Sequence, residues 1–288
     1  NPKLLTMKNN EGLSLVHYAG ANGNRELIVK LLENNPGLLN QTDTNGQTLV
    51  HYAAENGNFR IIDALLEHNA DLLNQKDDNG QTVAHLAAAN GEWIIFDTLL
   101  RRKPDLLNIK DGNAQTPTHH AAANGTPRPR RPMRMWNPDG NCRIIGSLLE
   151  HDPNLLNEKD GNGQTAAHLA AANGHYHIIE RLIEYTPDLF NVKDSNGLTP
   201  VDHAKENGHT ETLKLLHELN HDLLNAKSND SDTPAITVSG RVQSLFNANN
   251  QKKSGGKRKH VESLDNPKKK PRGDDKGYPR TGCRRVDL

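Results

Sequence analysis

One phrase, Asp-x-Asn-Gly-Gln-Thr-x-x-His-x-Ala-Ala-x-Asn-Gly, recurs along this 288-residue chain and limits its fold more than any other feature. It reads from Asp43 to Gly57, from Asp77 to Gly91 and from Asp160 to Gly174. A looser copy spans Asp111 to Gly125, and degenerate copies span Asn9 to Gly23 and Asp194 to Gly208. Successive copies lie 34 residues apart, except that 15 extra residues separate the copy at Asp111 from that at Asp160. A fixed period of this size calls for a stack of like units, each burying its apolar face only against its neighbours.

Within a unit, Asp-x-Asn-Gly opens a tight turn, and Gly46, Gly80 and Gly163 give it the conformational freedom it needs. Thr48 then stands where a helix N-cap is wanted, ahead of an alanine-rich stretch, and Gly57 stands where a left-handed residue would end that helix. A second helix follows, with Ile61, Ile62, Leu65 and Leu66 at the spacing of one buried stripe. A tetratricopeptide unit of similar length would need recurring Trp, Gly-Tyr and Phe-Pro positions, and none recurs. Turn, short helix, longer helix is instead the order of the ankyrin repeat. The chain resembles that family through Thr48-Leu-Val-His51, Thr82-Val-Ala-His85, Thr116-Pro-Thr-His119 and Thr165-Ala-Ala-His168, which echo Thr-Pro-Leu-His. The resemblance implies an all-α fold, an α-solenoid of about six ankyrin repeats over residues 1–227. Asn1-Pro2-Lys3-Leu4-Leu5 matches a repeat's tail, so the sequence is expected to continue an array that begins upstream.

Composition narrows the function classes. Aromatic residues are scarce at 4%, as a core of Ala, Leu and Ile between thin helices would require. Two cysteines, Cys142 and Cys283, make no disulfide framework and point to a reducing, intracellular setting. No apolar run approaches the roughly 20 residues that span a bilayer, so no membrane partner is expected. The formal charge is zero, yet residues 228–288 carry 14 Lys/Arg against 7 Asp/Glu while the rest carries 21 against 28. An acidic body therefore bears a basic tail, a pattern typical of interaction tails.

The fifteen histidines raise the possibility of a metal or of acid–base chemistry. His17, His51, His85, His119 and His168, however, occupy one position per repeat, three residues after Ser14 or a Thr, where an imidazole can bond the capping hydroxyl and nearby backbone. Groups spaced by whole repeats cannot converge on one ion. His175 and His177 beside Tyr176 form a local cluster without a carboxylate or Cys at ligand spacing, and are read as surface residues. Cys142 aligns with Phe59, Trp93 and Tyr176 in a half-buried packing position rather than a nucleophile's. No phosphate loop or His-Glu-x-x-His is present, so neither an enzyme nor a cofactor is expected.

The resemblance places a protein partner on the finger tips and first-helix faces. Candidate residues are Thr44, Asn45, Gln47 and Glu55, then Asp78, Asn79 and Gln81, and the equivalent Asn113 and Asn162. This row is oddly uniform: it reads either as recent duplication or as an Asn/Gln ladder for an extended peptide backbone. The insertion 126–140 offers a second candidate. Its Arg128, Arg130, Arg131, Arg134 and Trp136 are residue types enriched at binding hot spots. A tolerated disordered insertion or translated non-coding sequence is the plainer reading, since insertions at loops cost little.

Residues 228–250 read as a degenerate capping half-repeat, and 251–288 as a disordered basic tail. Lys257-Arg258-Lys259 and, farther on, Lys268-Lys269-Lys270-Pro271-Arg272 resemble a bipartite nuclear-import signal for an import receptor. Nucleic acid is the rival ligand, although no aromatic residue interleaves the clusters. The chain thus reads as a monomeric protein-binding adaptor of the nucleus. The alternatives are a substrate-recruiting part of a larger protein, such as a ubiquitin-ligase subunit or secreted bacterial effector, and a chromatin or RNA tether. The resemblance also marks Asn40, Asn74, Asn108, Asn157 and Asn191 as sites for asparaginyl hydroxylation.

Overall fold

Six Ser or Thr residues, one per unit, set the architecture by starting a helix on an extended N-cap backbone. The structure, a computed structural model, describes residues 5–125 and 140–217. The helices are α1 Leu15–Asn22, α2 Arg25–Asn34, α3 Leu49–Glu55, α4 Phe59–His68, α5 Val83–Ala89, α6 Trp93–Arg102, α7 Pro117–Asn124, α8 Gly140–His151, α9 Ala166–Ala172, α10 Tyr176–Tyr185 and α11 Pro200–Glu206. Helical backbone resumes at 210 and runs to 217. No strand occurs among the described residues.

Odd-numbered helices pack on one another in a row, α1 on α3 through α9 on α11, and α2, α4, α6, α8 and α10 form a parallel row. Alanine makes the first row thin. Ala53, Ala54, Ala87, Ala88, Ala121, Ala122, Ala170 and Ala171 are fully buried, which lets neighbouring helices approach closely. The second row supplies bulk: Ile61, Ile62, Leu65, Ile95, Phe96, Leu99, Ile145 and Leu148 are buried, each stabilising by roughly 1.5–3 kcal/mol on transfer from water. Leu66, the fourth member of the expected stripe in α4, is only partly covered. A short 3-10 turn closes each of the first five units, and the one at Ala70–Asn74 buries its two leucines, Leu72 and Leu73.

Each first helix ends at a left-handed glycine, φ +64° at Gly57 and +67° at Gly91, where L side chains are strained. The fourth unit departs from this geometry. Gly140, counted with the insertion from sequence, is the first residue of α8, which thereby starts two residues ahead of its counterparts. A Cβ at Gly140 would collide with the carbonyl oxygen of Gly91, backbone against backbone. Gly140→Ala is therefore expected to destabilise the array by about 2 kcal/mol or more, readable as a lower urea midpoint. A midpoint within error of the parent would show that α8 can shift freely.

Candidate protein-interaction surface

The finger at the start of each unit is built by one side-chain oxygen, the Asn9 carboxamide in the first unit and an Asp carboxylate in the next five. Asp43 Oδ1 accepts the backbone N–H groups of Asn45 and Gln47 at 2.8 Å each, and Asp77, Asp111, Asp160 and Asp194 repeat the pattern. Neighbouring fingers are then tied through the backbone. The Asp78 N–H donates to Asn45 O at 3.0 Å, Gly112 to Asn79 at 2.8 Å, Gly161 to Asn113 at 3.0 Å and Ser195 to Asn162 at 2.9 Å.

These bonds use the main chain of the tip asparagines and leave their side chains over. Asn45, Asn79, Asn113 and Asn162 are exposed, and their carboxamides make no hydrogen bond among the described residues. Thr44 and Asp78 are exposed beside them, whereas Gln47 and Gln81 are half-buried. Gln47 Nε2 donates to Glu55 Oε1 at 3.3 Å, so those two candidates engage each other. Behind the tips, Ala89, Ala123 and Ala172 give the first helices a low, smooth face. Candidates Arg128, Arg130, Arg131, Arg134 and Trp136, and the tail residues from Lys257 to Arg272, lie outside the described residues.

The repeat histidines stand directly beneath this surface. His51 Nδ1 accepts the Thr48 N–H at 3.0 Å and lies 3.0 Å from Thr48 Oγ1. With Nδ1 accepting, the proton sits on Nε2, which donates to the carbonyl of Gln81 at 3.1 Å in the following unit. His17 reaches Gln47 O, His85 reaches Gln115 O, His119 reaches Gln164 O and His168 reaches Leu198 O, at 3.0–3.2 Å. Sequence reasoning found the capping half of this arrangement and missed the half that joins the units. Burial lowers all five imidazoles below 6.5, and His85, which also faces His120, drops to about 4.

A second set of rings went unpredicted. His120 Nε2 donates to Asp111 Oδ2 at 2.8 Å, His203 Nε2 to Asp194 Oδ2 at 2.9 Å and Tyr52 OH to Asp43 Oδ2 at 2.7 Å. Each ring meets the preceding unit's histidine edge-on, with centroids 5.4–5.6 Å apart. Burial raises the Asp194 carboxyl, but bonds from His203, Leu198 and Asn196 outweigh it and hold the group at about 2. The signal available in the sequence was the fourth position of each first helix, which holds a ring at Tyr18, Tyr52, His120 and His203 and a leucine at Leu86 and Leu169.

Two local expectations change. His175 is half-buried rather than a surface residue: its Nε2 lies 2.8 Å from Ala123 O, the same kind of bond that Asn141 makes to Ala121 O. The reason is register, since His175 directly follows Gly174 and Asn141 takes the same place after Gly125 once the insertion 126–140 is set aside. Cys142 is 4% exposed, deeper than a half-buried position, because α8 carries it inward. Among the described residues no group of three or more His, Cys, Asp or Glu is placed to hold a metal ion, and no helix is long and apolar enough to cross a membrane.

The family description "Ankyrin repeats (3 copies)" matches residues 16–107 and 134–229. Similar solved structures include a chain from the complex of Bd0816, a predatory endopeptidase from Bdellovibrio bacteriovorus, with immunity protein Bd3460. It is 25% identical with a TM-score of 0.56, over 74% of this chain and 99% of that one. Another is EF0377, an ankyrin repeat protein, 22% identical with a TM-score of 0.57, over 73% of this chain and 98% of that one. No curated protein matches. Ankyrin arrays are protein-interaction modules, and finger, capped short helix and longer helix recur here in register with the family match. The chain belongs to the ankyrin-repeat family.

Proposed function

We propose that this protein is a binding adaptor that grips an extended protein segment along its finger tips and first-helix faces. The row of exposed, unbonded carboxamides at Asn45, Asn79, Asn113 and Asn162 carries the reading. Each amide offers a donor and an acceptor on a tip whose backbone is already tied to its neighbours, so little backbone freedom remains to be lost on binding. The uniformity of the row suits a polypeptide backbone, which repeats its own polar groups, better than one distinctive side chain. The similar chain was solved within a complex of an endopeptidase and an immunity protein, which lends support as a protein–protein assembly. The basic tail supports work in the nucleus, with Lys257–Lys259 and Lys268–Arg272 read as an import signal.

The test is affinity capture with the full chain and with Asn45, Asn79, Asn113 and Asn162 all changed to Ala. Four lost bonds should weaken partner binding roughly 30-fold or more. The unfolding midpoint should barely move, because these side chains touch nothing that holds the fold. Versions lacking 126–140 and 251–272 complete the set. Partners that survive the quadruple change and vanish with 126–140 would move the site to the insertion.

A further inference from the structure

Asn-Gly occurs ten times in this chain, and the structure sorts those steps into two kinds. The dipeptide is chemically exposed because glycine has no Cβ to shield its nitrogen from the carboxamide one residue back. Six of the steps close a first helix, and four of these are held at both reacting groups. Asn56 Nδ2 donates to Tyr52 O at 2.9 Å, and the Gly57 N–H donates to Ala54 O at 3.1 Å. Asn90 with Gly91, Asn173 with Gly174 and Asn207 with Gly208 are held in the same way. The other four stand at finger tips. There Asn45, Asn79, Asn162 and Asn196 are exposed, with carboxamides that make no hydrogen bond among the described residues. The Gly80, Gly163 and Gly197 N–H groups are still taken by the carbonyls of Asp77, Asp160 and Asp194 at 2.9–3.1 Å. The Gly46 N–H has no acceptor among the described residues, so at Asn45-Gly46 both reacting groups are open.

We propose that Asn45 is a site of spontaneous modification, converting to isoaspartate with water as co-reactant and so detaching its finger from the next. The Gly46 nitrogen attacks Asn45 Cγ, the Cγ–Nδ2 bond breaks, and Nδ2 leaves as ammonia with the proton lost from the glycine nitrogen. Water then opens the cyclic imide at either carbonyl, returning a proton to the nitrogen and leaving a carboxylate. Nothing is oxidised or reduced. Opening at Cγ gives aspartate. Opening at the backbone carbonyl instead reroutes the main chain through Cβ and Cγ, and it turns Asn45 O into part of a free carboxylate. That oxygen accepts the Asp78 N–H at 3.0 Å, the bond that joins this finger to the following one. The Asp78 side chain also lies against Gly46, so the new negative charge arrives beside an existing one. Asn113 supplies the contrast, because Ala114 follows it at φ +58° and its methyl group shields the nitrogen. The conversion needs no partner, so its failure would leave the adaptor reading untouched.

The test keeps the folded full chain in mildly alkaline heavy-oxygen water and follows each Asn by peptide mass mapping. Asn45 should convert at least about tenfold faster than Asn56, Asn90 and Asn113, and faster than Asn79 and Asn162. In urea the Asn-Gly steps should converge to within about threefold, because unfolding opens them all, while Asn113 stays slow. The converted fraction, separated by its added charge, should show amide exchange at Asp78 at least about tenfold faster than the parent. Asn45→Asp adds the charge without rerouting the chain, and should keep that exchange within about threefold of the parent. Equal rates at Asn45 and Asn56 in the folded chain would overturn the proposal. So would a converted fraction that holds aspartate alone, or one with unchanged exchange at Asp78.

Discussion

Lowered from pH 7 to pH 4, the array is expected to lose several kcal/mol of stability, ~3 kcal/mol of it at His85 alone. The cause is that a buried histidine bonded at both nitrogens has no room for a second proton. In the unfolded chain the imidazole titrates near 6.5, whereas burial, and then the neighbouring His120, pull folded His85 to about 4. Between these values the unfolded chain binds a proton that the folded one refuses. The stabilisation is therefore complete above 6.5 and disappears as pH falls toward 4. His17, His51, His119 and His168 are shifted the same way by burial and add to the loss. Asp194 belongs to a separate window, because its carboxyl is held to about 2 and contributes until the pH falls below its ordinary value of 3.8. Urea midpoints at pH 7, 5.5 and 4 distinguish the two groups. A midpoint that stays flat to pH 4 and falls only below it would assign acid sensitivity to the carboxylates instead.

At pH 7, His85→Ala is expected to cost about 3 kcal/mol in urea unfolding. The change removes a side chain with no exposed surface, strands the buried Thr82 N–H that the ring accepts at 3.1 Å, and leaves the Gln115 carbonyl with the Asp111 N–H alone. Each buried group left without a partner costs about 1–3 kcal/mol, and the cavity adds to this. The exposed Lys76 provides the contrast. Its Nζ also reaches into the next repeat, to Lys110 O at 3.1 Å, but in water, so Lys76→Ala should cost no more than about 0.5 kcal/mol. Equal costs for the two would show that inter-repeat bonds count by number rather than by burial.

What the sequence makes legible here follows from distance along the chain. Helix order, caps and terminating glycines are local, and Thr48, His51 and Gly57 state them within ten positions. The bond from His51 Nε2 to Gln81 O joins residues 30 apart, and nothing in either residue's neighbourhood announces it. Likewise, the fourth position of each first helix reads as an ordinary variable site. Only stacking the units shows that His120 and His203 close on both an aspartate and the previous unit's ring. His175 was misjudged because its role depends on alignment with Asn141, across the irregular fourth unit. The candidate surface was legible as a row of tips. That the tip backbone is spent while the amides stay unbonded required coordinates.

The His119 bond to Gln164 O spans 45 residues rather than 30, yet at 3.0 Å it matches its counterparts. Lys110 likewise reaches Lys159 O at 3.0 Å across 49 residues, where Lys76 reaches Lys110 O across 34. A connection lengthened in this proportion adds only about 0.3 kcal/mol of closure entropy. Because every such tie reaches just one unit onward, lengthening one turn delays one step of assembly and leaves the others untouched. Growth of the chain on the ribosome can thus lock each unit onto its predecessor as it emerges. New sequence arriving at a helix–helix turn is tolerated with the rest of the ladder in place, which makes these turns the points where such an array can acquire additional functions.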